Sequence, residues 1–162
     1  PLTWETVSAR DFLTEYIREH APALAEDSVH LSMEETDTAA EIRIDRSEFA
    51  RILKNLWENS SKYRRGTDVH IRMSLSAEGS QLAIRCDDDG IGVDAAELPK
   101  LFDSFYRTDT ARTNVAGGSG LGLAIVRRIM TAFGGSVRAE KSPEDGLRIV
   151  LLLPIASEGD MK

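Results

Sequence analysis

One cysteine, Cys86, is too few for an internal disulfide, so a reducing compartment is expected. No apolar run is long enough to cross a bilayer; the longest, Ile149 to Ile155, is short and interrupted by Pro154. No basic, apolar, small-residue signal opens the chain, which starts at Pro1 without a methionine and reads as an excised fragment. Internal repeats and low-complexity segments are also missing. A formal net charge of -7 argues against general nucleic-acid binding through a basic surface. Local basic clusters exist at Lys62-Tyr63-Arg64-Arg65, at Arg107 with Arg112, and at Arg127-Arg128. The first two suit a compact anion, whereas Arg127 and Arg128 read as solvated surface.

The 162 residues, 41% hydrophobic and 29% charged, fit one globular domain with a single core. Ser8 and Asp11 form a capping signal before Phe12, Leu13, Tyr16 and Ile17, which predicts a helix over 9–26. Residues 29–34 and 41–44 read as short strands around a polar turn. Asp45 and Glu48 cap a second helix, whose stripe of Phe49, Ile52, Leu53, Leu56 and Trp57 reaches about residue 65, with Gly66 as its stop. Alternation predicts strands over 69–75 and 81–86 joined by a hairpin turn at Glu78-Gly79. A short helix is expected over 95–102, a long polar loop over 103–119, and a helix over 120–133 stopped by Gly134-Gly135. Strands over 136–141 and 147–153 follow, with a frayed end from Ser157. The sum is an α/β two-layer domain, a mixed sheet with helices on one face.

Four segments could carry chemistry. On the second helix, Asn55, Asn59 and Lys62 fall within a roughly 60° sector at about 100° per residue, bordering the apolar stripe. Two carboxamides one turn apart suit a hard cation or its water shell, and Lys62 suits phosphate; the same residues also fit an exposed polar face. Asp87-Asp88-Asp89-Gly90-Ile91-Gly92 ends a strand. Its carboxylates lack the further acids of a calcium loop, but one facing a pocket accepts from an exocyclic amine such as adenine's, and glycines let backbone approach a flat ring. In Leu101 to Arg107, Phe102 and Phe105 read as core anchors, while Arg107 at the base of the long loop could clamp phosphate. Gly117-Gly118-Ser119-Gly120-Leu121-Gly122 opens a helix, where free amides and the helix dipole favour an anion. No Lys-Ser/Thr follows, so it is not a Walker loop, and a plain glycine hinge is the alternative.

Together and in order, these segments resemble the catalytic ATP-binding domain of sensor histidine kinases, within the family shared with gyrase, heat-shock chaperone and mismatch-repair ATPases. Asn55 to Tyr63 looks like the N box and Asp88-Asp89-Gly90-Ile91-Gly92 like the first glycine box. Phe102 to Arg107 looks like the F box and Gly118 to Leu123 like the second glycine box. The similarity covers about residues 6–154. It implies a two-layer α/β sandwich with a mixed, mostly antiparallel sheet (the Bergerat-type ATP-binding fold) over 1–156, with 157–162 as a tail.

The resemblance also implies roles. Asn59 would coordinate Mg2+ with support from Asn55, and Lys62 would meet phosphate. Tyr63 would pack near adenine or ribose, and Asp88 would accept from the adenine amine, with Gly90 and Gly92 shaping the base pocket. Arg107 and Arg112 would reach phosphates from the lid. Gly118, Ser119, Gly120, Leu121 and Gly122 would present amides to the triphosphate. Three departures stand out: Trp57 where an aliphatic residue is usual, Ser60 where alanine is common, and Arg64-Arg65 after Lys62-Tyr63. None removes a ligand, but they leave the fine shape of the pocket open.

The family's phosphoacceptor is a histidine followed by an acidic residue on a separate helical domain. Here His20, His30 and His70 are followed by alanine, leucine and isoleucine, so the acceptor is expected outside the chain. The implied partners are the histidine-containing dimerisation domain of the parent protein and a response regulator, with no nucleic acid. The isolated domain is expected to be monomeric and cytoplasmic, and the parent a homodimer anchored in the inner membrane. Three rivals remain: a serine-kinase anti-sigma factor, a hydrolysing ATPase of the gyrase or chaperone type, and a non-catalytic nucleotide-binding module. The first two want a glutamate where Asn55 stands.

Overall fold

Apolar residues at helical spacing must be buried against something, and here one face of a sheet receives them. The computed structural model describes residues 1–104, 106 and 122–157. Strand β1 (Glu5–Ser8) leads into helix α1 (Ala9–Glu26), followed by β2 (Val29–Met33) and β3 (Glu41–Ile44). Helix α2 (Arg46–Lys62) precedes the hairpin β4 (Val69–Glu78) and β5 (Gln81–Asp88). Helix α3 (Gly122–Ala132) precedes β6 (Ser136–Lys141) and β7 (Leu147–Pro154).

Five strands form the main sheet in the order β2-β4-β5-β7-β6. Only the β2–β4 pair is parallel, so the sheet is mixed and mostly antiparallel, as expected. One face supplies Ile71 and Met73 from β4, Leu82, Ile84 and Cys86 from β5, and Ile149 and Leu151 from β7 to a single large core. Leu13 and Tyr16 of α1, Phe49 to Trp57 of α2, and Val126 to Met130 of α3 complete it. On the opposite face, among the described residues, Ala83, Val150 and Leu152 form a small buried cluster.

Both capping signals do what the sequence suggested. Ser8 Oγ accepts from the amide of Asp11 at 3.2 Å, and Asp45 Oδ1 from that of Glu48 at 3.0 Å. Asp45 Oδ2 also accepts from Thr3 N at 2.8 Å, tying the N-terminal segment to the start of α2. These backbone donors, first that of Thr3, hold the Asp45 carboxyl below its ordinary value. At its far end α3 stops in a paired return: Gly135 N donates to Met130 O and Gly134 N to Thr131 O, with Gly134 at φ 80°.

Several expectations need correction. The strands at 29–33 and 41–44 exist, but they are not each other's partners. Strand β2 joins the edge of the main sheet beside β4, while β3 pairs with β1, a strand too short to read from periodicity, in a separate two-stranded ribbon. Helix α2 ends at Lys62 with Tyr63 as its cap, before Gly66 is reached. The stop comes from Arg64, whose guanidinium satisfies the carbonyls of Ser61, Thr67 and Asp27. The helix expected over 95–102 is a single 3-10 turn, Leu98–Lys100, with Pro99 near its start. The β4–β5 hairpin is longer than expected and turns through Gly79-Ser80, with Gly79 at φ 61°. Most of the expected 103–119 loop, and the C-terminal end from 158, lie outside the described residues.

Phe49 is fully buried, and its ring centroid lies 5.2 Å from that of Phe12 and 6.4 Å from that of Phe133. It therefore joins α1, α2 and the end of α3. Phe49→Ala is expected to destabilise the chain by about 3–5 kcal/mol, read as a lower urea midpoint with an unchanged slope.

Candidate functional site

Asp88 is the last residue of β5, the middle strand of the sheet, and only 5% exposed. A carboxylate taken out of water needs donors, and three reach it. Oδ1 accepts from Gly90 N at 3.0 Å and from Leu147 N at 2.9 Å; Oδ2 accepts from Ser60 Oγ at 2.9 Å. The acid is thus held by its own turn, by the start of β7 and by α2. Burial pushes its carboxyl above its ordinary value, against the pull of those three hydrogen bonds. The sign follows: the group binds its proton more tightly folded than unfolded. It therefore favours folding in acid and loses that contribution as the pH rises through its folded value. A buried carboxyl shifted in this way is a candidate functional group.

The walls around Asp88 leave no room for side chains. A Cβ on Gly90 would lie 2.4 Å from Tyr63 O, and one on Gly146 would lie 2.2 Å from Asp88 O. Gly92 combines φ 76° with an approach of 2.6 Å between its would-be Cβ and Asp145 O. Ser142 Oγ donates to Asp88 O at 2.7 Å and accepts from Gly146 N, so the β6–β7 turn clasps the end of β5. At the end of α2, Tyr63 O accepts from Ile91 N at 2.9 Å, and the Arg65 guanidinium donates to Gly90 O at 2.9 Å. The end of α2 and the Asp88–Gly92 turn are therefore one bonded unit.

Helix α2 carries its polar residues as the helical spacing predicts. Asn55 and Asn59 are half-buried and Lys62 is exposed, while Leu56, Trp57 and Ser60 are buried. Asn55 Nδ2 donates to Arg51 O at 3.0 Å, which leaves Oδ1 as its other polar end. That oxygen lies 3.4 Å from the place where a Cβ on Gly122 would sit, at the start of α3. So the structure brings together Asn55 and Gly122, and separately Ser60, Tyr63, Asp88, Gly90 and Gly92, along one helix. Phe102 is buried as a core anchor, and Tyr106 Oη donates to Glu97 at 2.8 Å. Phe105, Arg107, Arg112, Gly118, Ser119, Gly120 and Leu121 lie outside the described residues.

Sequence reasoning passed over the groups that hold Asp88. Gly146, Ser142 and the Leu147 amide carry no local motif, and their role depends on a sheet pairing 59 residues away in the chain. Ser60 and Arg65 showed only as departures from a pattern. Trp57, a third departure, is buried and donates to Tyr16 Oη at 3.1 Å, joining α2 to α1. His30 and His70, in register on β2 and β4, stack at 4.9 Å and bond Asp68 and Asp89, each at 2.8 Å. Partial burial pushes Asp89 up, but the bonds from the His70 amide and ring outweigh it and hold it below its ordinary value. Cys86 is buried, and burial pushes its thiol up, which disfavours the reactive thiolate. Among the described residues no three His, Cys, Asp or Glu side chains could hold a metal ion. No described helix is long and apolar enough to cross a membrane.

Comparison with known proteins fits this geometry. Residues 44–157 match the family model described as histidine kinase-, DNA gyrase B-, and HSP90-like ATPase. The chain is 33% identical to the sensor protein kinase WalK of Staphylococcus saprophyticus, over 98% of this chain and 26% of that protein. It is 41% identical to the sensor histidine kinase CpxA of Escherichia coli, over 64% of this chain and 22% of that protein. The chain thus spans about a quarter of the length of the curated relatives it matches. The ATP binding domain of PrrB from Mycobacterium tuberculosis superimposes with a TM-score of 0.72 at 25% identity, covering 95% of this chain and 98% of that one. The catalytic domain of histidine kinase ThkA does so with a TM-score of 0.76 at 18% identity, covering 96% and 100%. The chain belongs to the histidine kinase-, DNA gyrase B- and HSP90-like ATPase family, as a catalytic ATP-binding domain of the sensor-histidine-kinase kind.

Proposed function

We propose that this domain binds Mg-ATP in the cleft between α2, the Asp88–Gly92 turn and the start of α3. It then donates the γ-phosphoryl group to a histidine on a separate dimerisation domain of its parent protein. That histidine passes the group to an aspartate of a response regulator. The single observation that carries the reading is the bonded unit formed by the end of α2 and the Asp88 turn, with Asn55 Oδ1 set against Gly122.

The residues fit the nucleotide. Asp88 Oδ2 accepts from the adenine amine, and Gly90, Gly92 and Gly146 let the surrounding backbone close in and hold that carboxylate in place. Tyr63 borders the base or ribose. Asn59 offers a neutral oxygen to magnesium and Asn55 supports it, the donor type a hard cation takes. Bound magnesium neutralises charge that develops on the phosphates. Lys62 adds charge from α2, as do Arg107 and Arg112 from the segment between Phe102 and α3. By the family pattern, Gly118, Ser119, Gly120, Leu121 and Gly122 would offer their backbone amides to the triphosphate. The acceptor imidazole nitrogen bonds the γ-phosphorus as the bond to the β,γ-bridging oxygen breaks, and ADP leaves. Phosphoryl transfer asks the protein for positioning and charge neutralisation, and these groups supply both.

Asn55 cannot act as a general base, which favours donation over hydrolysis. The acceptor lies outside this chain: His20 packs on Tyr16, and His30 and His70 stack on each other, each bonded to an aspartate. We place the domain on the cytoplasmic side of the inner membrane, in a homodimeric parent.

Calorimetry with Mg-ATP checks the first half. The wild type should bind, and Asn59→Ala should lose roughly ten- to a hundredfold in affinity, the size of a lost charge-assisted contact; no binding by the wild type would sink the reading. For the second half, the chain incubated alone with γ-labelled ATP should stay unlabelled, and a supplied histidine-containing dimerisation domain should take the label. Acid-labile label on His20, His30 or His70 would contradict it.

A further inference from the structure

Ser60 follows Asn59 on the inward side of α2 and is buried. A hydroxyl removed from water needs a partner, and Ser60 Oγ has one in Asp88 Oδ2 at 2.9 Å. The two oxygens of that carboxylate are not equivalent. Oδ1 accepts from two backbone amides, which fill its in-plane lone pairs. Among the described residues Oδ2 accepts from Ser60 alone, so it is the oxygen with room for a donor from a ligand. The only side chain bonded to the Asp88 carboxylate among those residues thus sits on the oxygen that would read the base.

The geometry points to Ser60 as a positioning residue for base recognition: its hydroxyl orients Asp88 so that Oδ2 accepts from the exocyclic amine of an adenine nucleotide. This rests on the Mg-ATP reading above and deepens it. A buried carboxyl can relieve its desolvation by rotating toward water or by taking up a proton. The amides on Oδ1 resist the first. A proton would settle on Oδ2, the less occupied oxygen, and set an O–H against the adenine amine, donor facing donor. The same O–H would suit the carbonyl of hypoxanthine. Ser60, by donating to Oδ2, disfavours that proton and so keeps the site selective for adenine.

Other charges around Asp88 are already committed. On its own strand Asp87 is paired with Arg148, and beyond it Asp89 is bonded to His70. Past α2, Arg65 is bonded to the Gly90 carbonyl. In the β6–β7 turn Asp145 pairs with Lys141, and Glu144 with Arg72. Ser60 is the neutral donor whose removal changes Asp88 without changing the net charge nearby.

The test uses the whole chain with its S60A and S60T variants. The Asp88 carboxyl carbon is followed by 13C NMR across pH, and Mg-ATP and Mg-ITP affinities are measured by calorimetry at the same pH values. In S60A the Asp88 titration midpoint should rise by about one pH unit. At the acid side ATP affinity should fall about five- to tenfold, with ITP affected less, and S60T should restore both. An unchanged midpoint in S60A overturns the inference. So does an equal loss of ATP and ITP affinity at every pH, accompanied by a lower Tm, which is what a packing role would produce. If the S60A midpoint moves but the wild type binds no Mg-ATP, the nucleotide reading itself fails and the base-recognition role falls with it.

Discussion

Everything at the site hangs on one buried carboxylate. Asp88 ends the central strand, and four separate stretches bend toward it: its own glycine turn, α2 through Ser60, the β6–β7 turn through Ser142, and the start of β7 through the Leu147 amide. Burial works against its charge and hydrogen bonds work for it. A group in that balance responds to small changes in its partners. The glycines around it are therefore spatial requirements set by backbone approaches of 2.2–2.6 Å to their would-be Cβ atoms.

The same arrangement explains why the fold precedes the site. Neither α2 nor the Asp88 turn holds its polar groups in place alone. The apolar stripe from Phe49 to Trp57 seats α2 on the sheet, and only then do Tyr63 O and Ser60 Oγ meet the turn. Trp57 and Tyr16 add a buried hydrogen bond that keys α1 to α2. Packing sets the angle of the helix, and polar contacts at its end set the geometry of the cleft.

Much of this was legible in the sequence, and what was not has physical causes. Local signals survived folding: the caps at Ser8 and Asp45, the stripe of α2, the paired glycines after α3 and the polar sector of Asn55, Asn59 and Lys62. These depend on residues a few positions apart. Apart from the 3-10 turn at Leu98–Lys100 and the extent of the β4–β5 hairpin, the misreadings depended on partners far along the chain. Residues 29–33 and 41–44 look alike as isolated strands, yet one is added in parallel to the main sheet and the other to β1. Helix α2 stops where Arg64 captures carbonyls, including one from Asp27, and not at the next glycine. Ser60 was visible as an oddity of the motif, but its meaning required knowing that its inward neighbour is a carboxylate.

The strands also give the sheet two unlike ends. In the β4–β5 register, Ile71 faces Asp88 at one end and Glu78 faces Gln81 at the other, beside Pro154 of β7. The hairpin through Gly79-Ser80 thus stands roughly 27 Å along the strand from the buried acid, taking the usual rise per residue. Ser80 in that turn is exposed, whereas Gly79, at φ 61°, would be strained by any side chain. The molecule consequently carries its own handle: a dye, tag or surface tether attached at that turn would sit in open solvent at the opposite pole from the cleft, leaving the chemistry free to be watched.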